Sequence, residues 1–153
     1  MRQVYTVIDK LKTKLKENGI TNTVTFGDIL EVDLDKTTIY PLSHISMGEV
    51  TFSPHIINAT VQLFCLDVVD KNKELTDEDL VYGNDNLQDI LNTQLQVIND
   101  IQQELRRGGL FEDNLQITTD ITASPFIDNF ENQLAGWAAT INIEMPNNEH
   151  TIC

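Results

Sequence analysis

Catalysis or metal binding needs titratable or nucleophilic side chains that converge, so these are the residues to place first. The histidines are His44, His55 and His150, and no two of them stand at a ligand spacing. Cys65 lies inside an alternating apolar run, with no basic neighbour in sequence to lower its pKa, and reads as a small core residue. Cys153 is the other cysteine. Two cysteines so placed make no disulfide framework and point to a reducing compartment. Asp70-Lys71-Asn72-Lys73-Glu74 begins like a calcium loop and then departs from it. Leu75 stands where the loop needs glycine, and Val81 stands where it needs a bidentate glutamate. Asp28 and Glu31 form a carboxylate pair of the kind that chance supplies in a chain with 24 Asp/Glu. There is no GxGxxG, GxxxxGK[ST] or GxSxG. The expectation is a chain that is not an enzyme, with no catalytic residue, metal or cofactor.

The elements that would position these residues follow from periodicity. Val4, Ile8, Leu11 and Leu15 share one helical face, and Asn18-Gly19 stops the helix, which predicts a helix over 3–17. Leu30 to Asp35 alternates apolar and acidic residues, a strand with Glu31, Asp33 and Asp35 projecting together. Tyr40-Pro41 marks a turn or a sheet edge. Residues 50–52 and 56–68 read as strands around Ser53-Pro54, the second apolar on both faces near its end and so central. Residues 69–86 are a polar, acidic connector. Leu87, Ile90, Leu91, Leu95, Ile98, Ile101 and Leu105 then form a stripe that predicts a helix over 86–107, closed by Arg106-Arg107 and Gly108-Gly109. Leu91, Leu95 and Ile98 are its expected buried residues. Two further alternating runs, 115–121 and 137–145, flank Pro125 and an Asn/Asp-rich connector. Strands in runs rather than in alternation with helices predict an α+β fold. The expected sheet is mostly antiparallel, of about six strands. The N-terminal helix and the long helix pack on one face. One domain spans 1–153, with 146–153 as a flexible tail.

Charge narrows the partners. The net charge is −14, and its distribution is uneven. Residues 1–66 carry six Lys/Arg against seven Asp/Glu, residues 67–113 four against twelve, and residues 114–153 none against five. Such a surface repels nucleic acid and anionic lipid. No apolar stretch reaches the length of a membrane span, and the amphipathic N-terminal segment does not read as a signal peptide.

Several segments resemble those of a known family. They are Tyr40-Pro41-Leu42-Ser43-His44-Ile45, Gly83-Asn84-Asp85-Asn86, ELRRGGLF at 104–111, Pro125-Phe126, and Phe130 to Trp137 as FENQLAGW. Together they resemble small virion proteins of tailed bacteriophages of the crAss-like kind. These are neck or tail ring proteins similar to tail terminators and tail-completion proteins. The resemblance runs over nearly the whole chain. It implies an α+β subunit of a homo-oligomeric ring that joins or terminates the tail. Its expected partners are itself and other neck, tail or portal proteins. DNA would pass through the lumen without being specifically bound, and no membrane is involved. The place is the virion, and the host cytoplasm during assembly. Glu31, Asp33 and Asp35 are the candidate pore-lining acids. Asp70, Glu74, Asp77, Glu78 and Asp79 are the candidates for an inter-subunit loop. A ring of six and a ring of twelve fit equally, as do a tail terminator and a neck ring. The alternatives of a different class are an acidic inhibitor that mimics DNA and a small ligand-binding domain.

Overall fold

A computed structural model describes residues 2–28, 40–69, 87–109, 115–127 and 134–147. The predicted acidic strand at 30–35 and the acidic connector fall outside the described residues. Two helices and six strands follow in the order α1 (Arg2–Glu17), β1 (Thr23–Phe26), β2 (Leu42–Phe52), β3 (Ile56–Val68), α2 (Leu87–Glu104), β4 (Gln116–Ile117), β5 (Thr122–Ile127) and β6 (Leu134–Pro146). This is the expected α+β class, with a six-stranded, mostly antiparallel sheet. Three strands precede the long helix and three follow it.

The strand order is β1-β2-β3-β6-β4, with β5 also on β6. β1 pairs parallel to β2, and every other pairing is antiparallel. β4 and β5 share the same side of β6, opposite Ile143–Glu144 and Ala135–Thr140 respectively. They are two pieces of one interrupted edge. Pro125 lies inside β5, where an edge strand has no second ladder for its missing N–H to serve. The sequence reading had placed a connector there. β3 and β6 are the long central pair, registered from Ile56↔Pro146 to Val68↔Leu134.

Side-chain alternation sorts the sheet into two faces. Ile57, Ala59, Val61, Leu63 and Cys65 of β3 pack with Ala139, Ile141, Ile143 and Met145 of β6 in the main core. Both helices cover this face, α1 through Val7, Ile8, Leu11 and Leu15, α2 through Val97, Ile98 and Ile101. The other face holds a second cluster of Tyr40, Leu42, Phe64, Leu66 and Leu134 at one end. Toward the other end it turns polar, with Thr60 Oγ1 donating to Asn142 Oδ1 at 2.8 Å and Asn142 Nδ2 donating to Thr119 Oγ1 at 3.0 Å.

Asn18 stops α1 as expected. Its side-chain oxygen accepts the Ile20 N–H at 3.0 Å, its amide nitrogen donates to Asp100 at 3.1 Å, and Ile20 folds back on the core. The long helix departs from expectation in two ways. First, it gives way at Leu105–Gly109 to a π-helical turn. Second, its buried face is rotated. Ile90, Gln94, Val97, Ile98 and Ile101 are buried, whereas Leu91 is half-buried and Leu95 is 41% exposed. Two neighbouring stripes run along this helix, and the one that meets the sheet includes Gln94 in place of an apolar residue.

The predicted tail also begins too early. Pro146 still belongs to β6, and Asn147 N–H donates to the His55 carbonyl at 2.9 Å. Residues 148–153 lie outside the described residues. Finally, Val69, Ile90 and Ala135 make a third small cluster with Leu87 beside it. Val69 and Leu87, which bound the acidic connector, therefore meet in one place.

Candidate functional site

Two of the segments singled out by the sequence, Tyr40–Ile45 and Leu134–Trp137, build joints, and segment 83–86 lies outside the described residues. Tyr40-Pro41 is a cis peptide. The Pro41 carbonyl accepts the N–H of Asn22 at 2.9 Å and of Thr23 at 3.3 Å, which seats β1 beside β2. Ser43 and His44 are consecutive strand residues and point to opposite faces, so they cannot act as a dyad. Ser43 Oγ lies 3.0 Å from Thr21 Oγ1 and donates to Cys65 Sγ at 3.8 Å. His44 is buried on the other face beside the Phe64 ring. Its Nε2–H donates to the Gly27 carbonyl at 2.9 Å, and its Nδ1 shares a hydrogen bond with Thr25 Oγ1 at 2.7 Å. The contacts with Thr21, Asn22, Thr23, Thr25 and Gly27 tie β1 and its flanks to β2, and those with Phe64 and Cys65 tie β2 to β3.

Leu134 to Trp137 does the same for β6. Leu134 enters the second cluster and Ala135 the third. A Cβ at Gly136 would overlap the Cys65 carbonyl oxygen, so β3 and β6 approach there as only glycine permits. Trp137 Nε1–H donates to the Leu91 carbonyl at 2.7 Å and pins α2 to the sheet.

Burial acts on two of the titratable groups. Burial pushes the Cys65 thiol up from an ordinary 9.0 to about 12, against a smaller opposing effect of the Ser43 hydroxyl. A thiol so held is a poor nucleophile at neutral pH. Asp67 is half-buried, and desolvation raises its carboxyl above the ordinary 3.8 despite its hydrogen bond from Val68 N–H. Among the described residues, no three His, Cys, Asp or Glu side chains gather as a metal site. No helix among them is long and apolar enough to cross a membrane.

No family model and no curated protein matches this chain.

Surface features that sequence reasoning missed are grooves beside the helices. One of about 440 Å³ is lined by Tyr5, Lys10 and Lys14 of α1 with Glu104 and Leu105. Another of about 520 Å³ runs between α2 and the β4–β5 edge, past Leu95, Ile98, Ile121 and Ala123, under a rim of Asn92, Gln96, Asn99 and Gln102. Arg106 and Asp120 face each other across its end at 3.5 Å. The sequence held one sign of this second groove, an apolar residue at 95 beyond what the buried stripe required. At the strand ends, where Ile56 pairs Pro146, the β2–β3 hairpin presents Phe52 and Ile56, 64% and 38% exposed. The candidate pore acids Glu31, Asp33 and Asp35 lie outside the described residues. So do Asp70, Glu74, Asp77, Glu78 and Asp79 of the candidate loop.

Proposed function

We propose that this chain is a structural subunit of a homo-oligomeric ring at the neck or tail end of a tailed-phage particle. It joins or terminates the tail, has no catalytic role and needs no cofactor. The observation that carries this reading is the placement of the resembling segments. Tyr40–Ile45 and Leu134–Trp137 hold strands to strands and strand to helix rather than lining a reactive cleft. A family whose recurrent residues shape a building block uses them in this way. The α+β architecture with both helices on one sheet face agrees with what the resemblance implies. The charge of −14 suits a conduit, because a wall that attracted phosphates would hold DNA rather than pass it.

Imaging of purified virions with an antibody or a small fused tag tests the proposal. The expected result is label at the head–tail junction or the tail end. Particles of normal composition that lack the protein overturn it. A filter-binding assay tests the conduit. The purified chain should not retain duplex DNA at about 0.15 M salt, where screening acts over about 8 Å.

A further inference from the structure

We infer that copies of this chain join head to tail, the β2–β3 hairpin tip of one copy seating in the groove between α2 and the β4–β5 edge of the next. This deepens the ring reading above and rests on it.

Like-charged copies repel, and at −14 each the repulsion selects which surfaces can meet. The hairpin tip is an uncharged projection. From Val50 to Asn58 it carries no Lys, Arg, Asp or Glu, and it exposes Phe52 and Ile56. The groove matches it in kind. Leu95, Ile121 and Ala123 give it apolar walls, its rim is carboxamide, and the two charges that line it, Arg106 and Asp120, face each other. Its volume of about 520 Å³ leaves room for aromatic and aliphatic side chains.

Placement fits as well as chemistry. Val50 packs on the helix-covered face, and Phe52, two residues along β2 and paired with the core residue Ile57, projects to the same side, while Ile56 turns to the other side and gives the tip its second apolar flank. The groove opens on the helix-covered side too. β2 lies toward one border of the sheet, and the β4–β5 edge is the other. The tip stands at the strand ends, where Ile56 pairs Pro146, whereas the groove opens beside Ala123, which pairs Ala139 further along β6, so the two surfaces can serve different neighbours. Such a contact is heterologous, and it generates a ring when the rotation closes.

The test uses the purified full chain in sedimentation velocity. A tip variant, Phe52→Ser with Ile56→Thr, and a groove variant, Leu95→Lys, alter exposed positions, and thermal melts confirm that each folds. Each alone should be monomeric where the wild type associates. Mixed one to one they should give a dimer that grows no further, because one intact tip meets one intact groove. Association of the wild type should strengthen as salt rises toward about 0.5 M, since screening relieves the repulsion between copies. Variants that assemble like the wild type overturn the assigned surfaces while leaving a ring standing. A mixture that stays monomeric overturns the head-to-tail arrangement. Loss of association with added salt overturns an uncharged contact in favour of a charged one. A wild-type chain monomeric under all these conditions overturns the inference, and virion imaging then judges the ring separately. If residues 29–39 of the same chain cover the tip instead, deleting the tip side chains changes stability and not association, which also overturns it.

Discussion

A methyl group at Gly136 has no space, because the Cys65 carbonyl stands where it would go. Gly136→Ala should therefore force β3 and β6 apart and cost at least about 1–3 kcal/mol, read as a lower denaturant midpoint. The glycine was visible in the sequence, but its reason was not, since a close approach belongs to two strands far apart in the chain. Asp67 offers a second test at this scale. Its raised pKa means the folded chain holds that proton more tightly than the unfolded chain. The ionised carboxylate costs nothing below pH 3.8, and the cost is complete once pH has passed the folded-state value. Asp67→Asn keeps an oxygen for the Val68 N–H. It should raise the melting temperature at pH 7, with the gain shrinking as pH falls toward 3.8. An equal gain at both pH values would point to a cause other than desolvation. Cys65 was legible as a core residue because its run alternates, and His44 was not, because its partners Thr25 and Gly27 lie on another strand.

At the level of elements, α1 could be read almost to the residue, whereas α2 was read at the right place with the wrong face inward. Apolar residues at 91, 95 and 98 outvote a glutamine at 94 in any periodicity count, yet the sheet covers the stripe that contains the glutamine. The two stripes differ by a fraction of a turn, and the hydrogen bond from Trp137 to the Leu91 carbonyl helps to hold the rotation. Leu95→Ala should consequently cost little, about 0.5 kcal/mol or less, against roughly 2–5 kcal/mol for Ile101→Ala in the core. Comparable losses at the two positions would show that the helix is turned the other way. Gln94 is 1% exposed, and neither its amide nitrogen nor its amide oxygen has a hydrogen-bond partner. An unsatisfied buried amide is costly, so Gln94→Leu, of similar volume, should stabilise the chain by about 1–3 kcal/mol. A destabilised variant would mean that the amide has found a partner, such as a trapped water. β3 and β6 were legible from alternation, whereas β5 and the first part of β2 were not. Nor was the splitting of the last edge into β4 and β5, since a break in pairing leaves no mark on apolar spacing.

On the scale of the molecule, the charge is uneven along the chain. α1 holds five of the ten Lys/Arg, and the segment 70–86 holds six Asp/Glu against two lysines. The class of the fold followed from the order of elements alone. The sheet order did not, because β6, last in the chain, inserts between β3 and the β4–β5 edge. Val69 and Leu87 sit at a shared small cluster, so the two residues that bound the acidic connector meet at one doorway in the body. Loop entropy grows only with the logarithm of length, so doubling such a stretch costs about 0.6 kcal/mol. A passenger domain with adjacent ends, spliced between residues 77 and 78, should leave the melting temperature of the body within a few degrees. A collapse in stability would show that the connector braces the body from outside. If the body tolerates the passenger, this doorway is the port through which a lineage can acquire new attachments without redesigning the joints of the sheet.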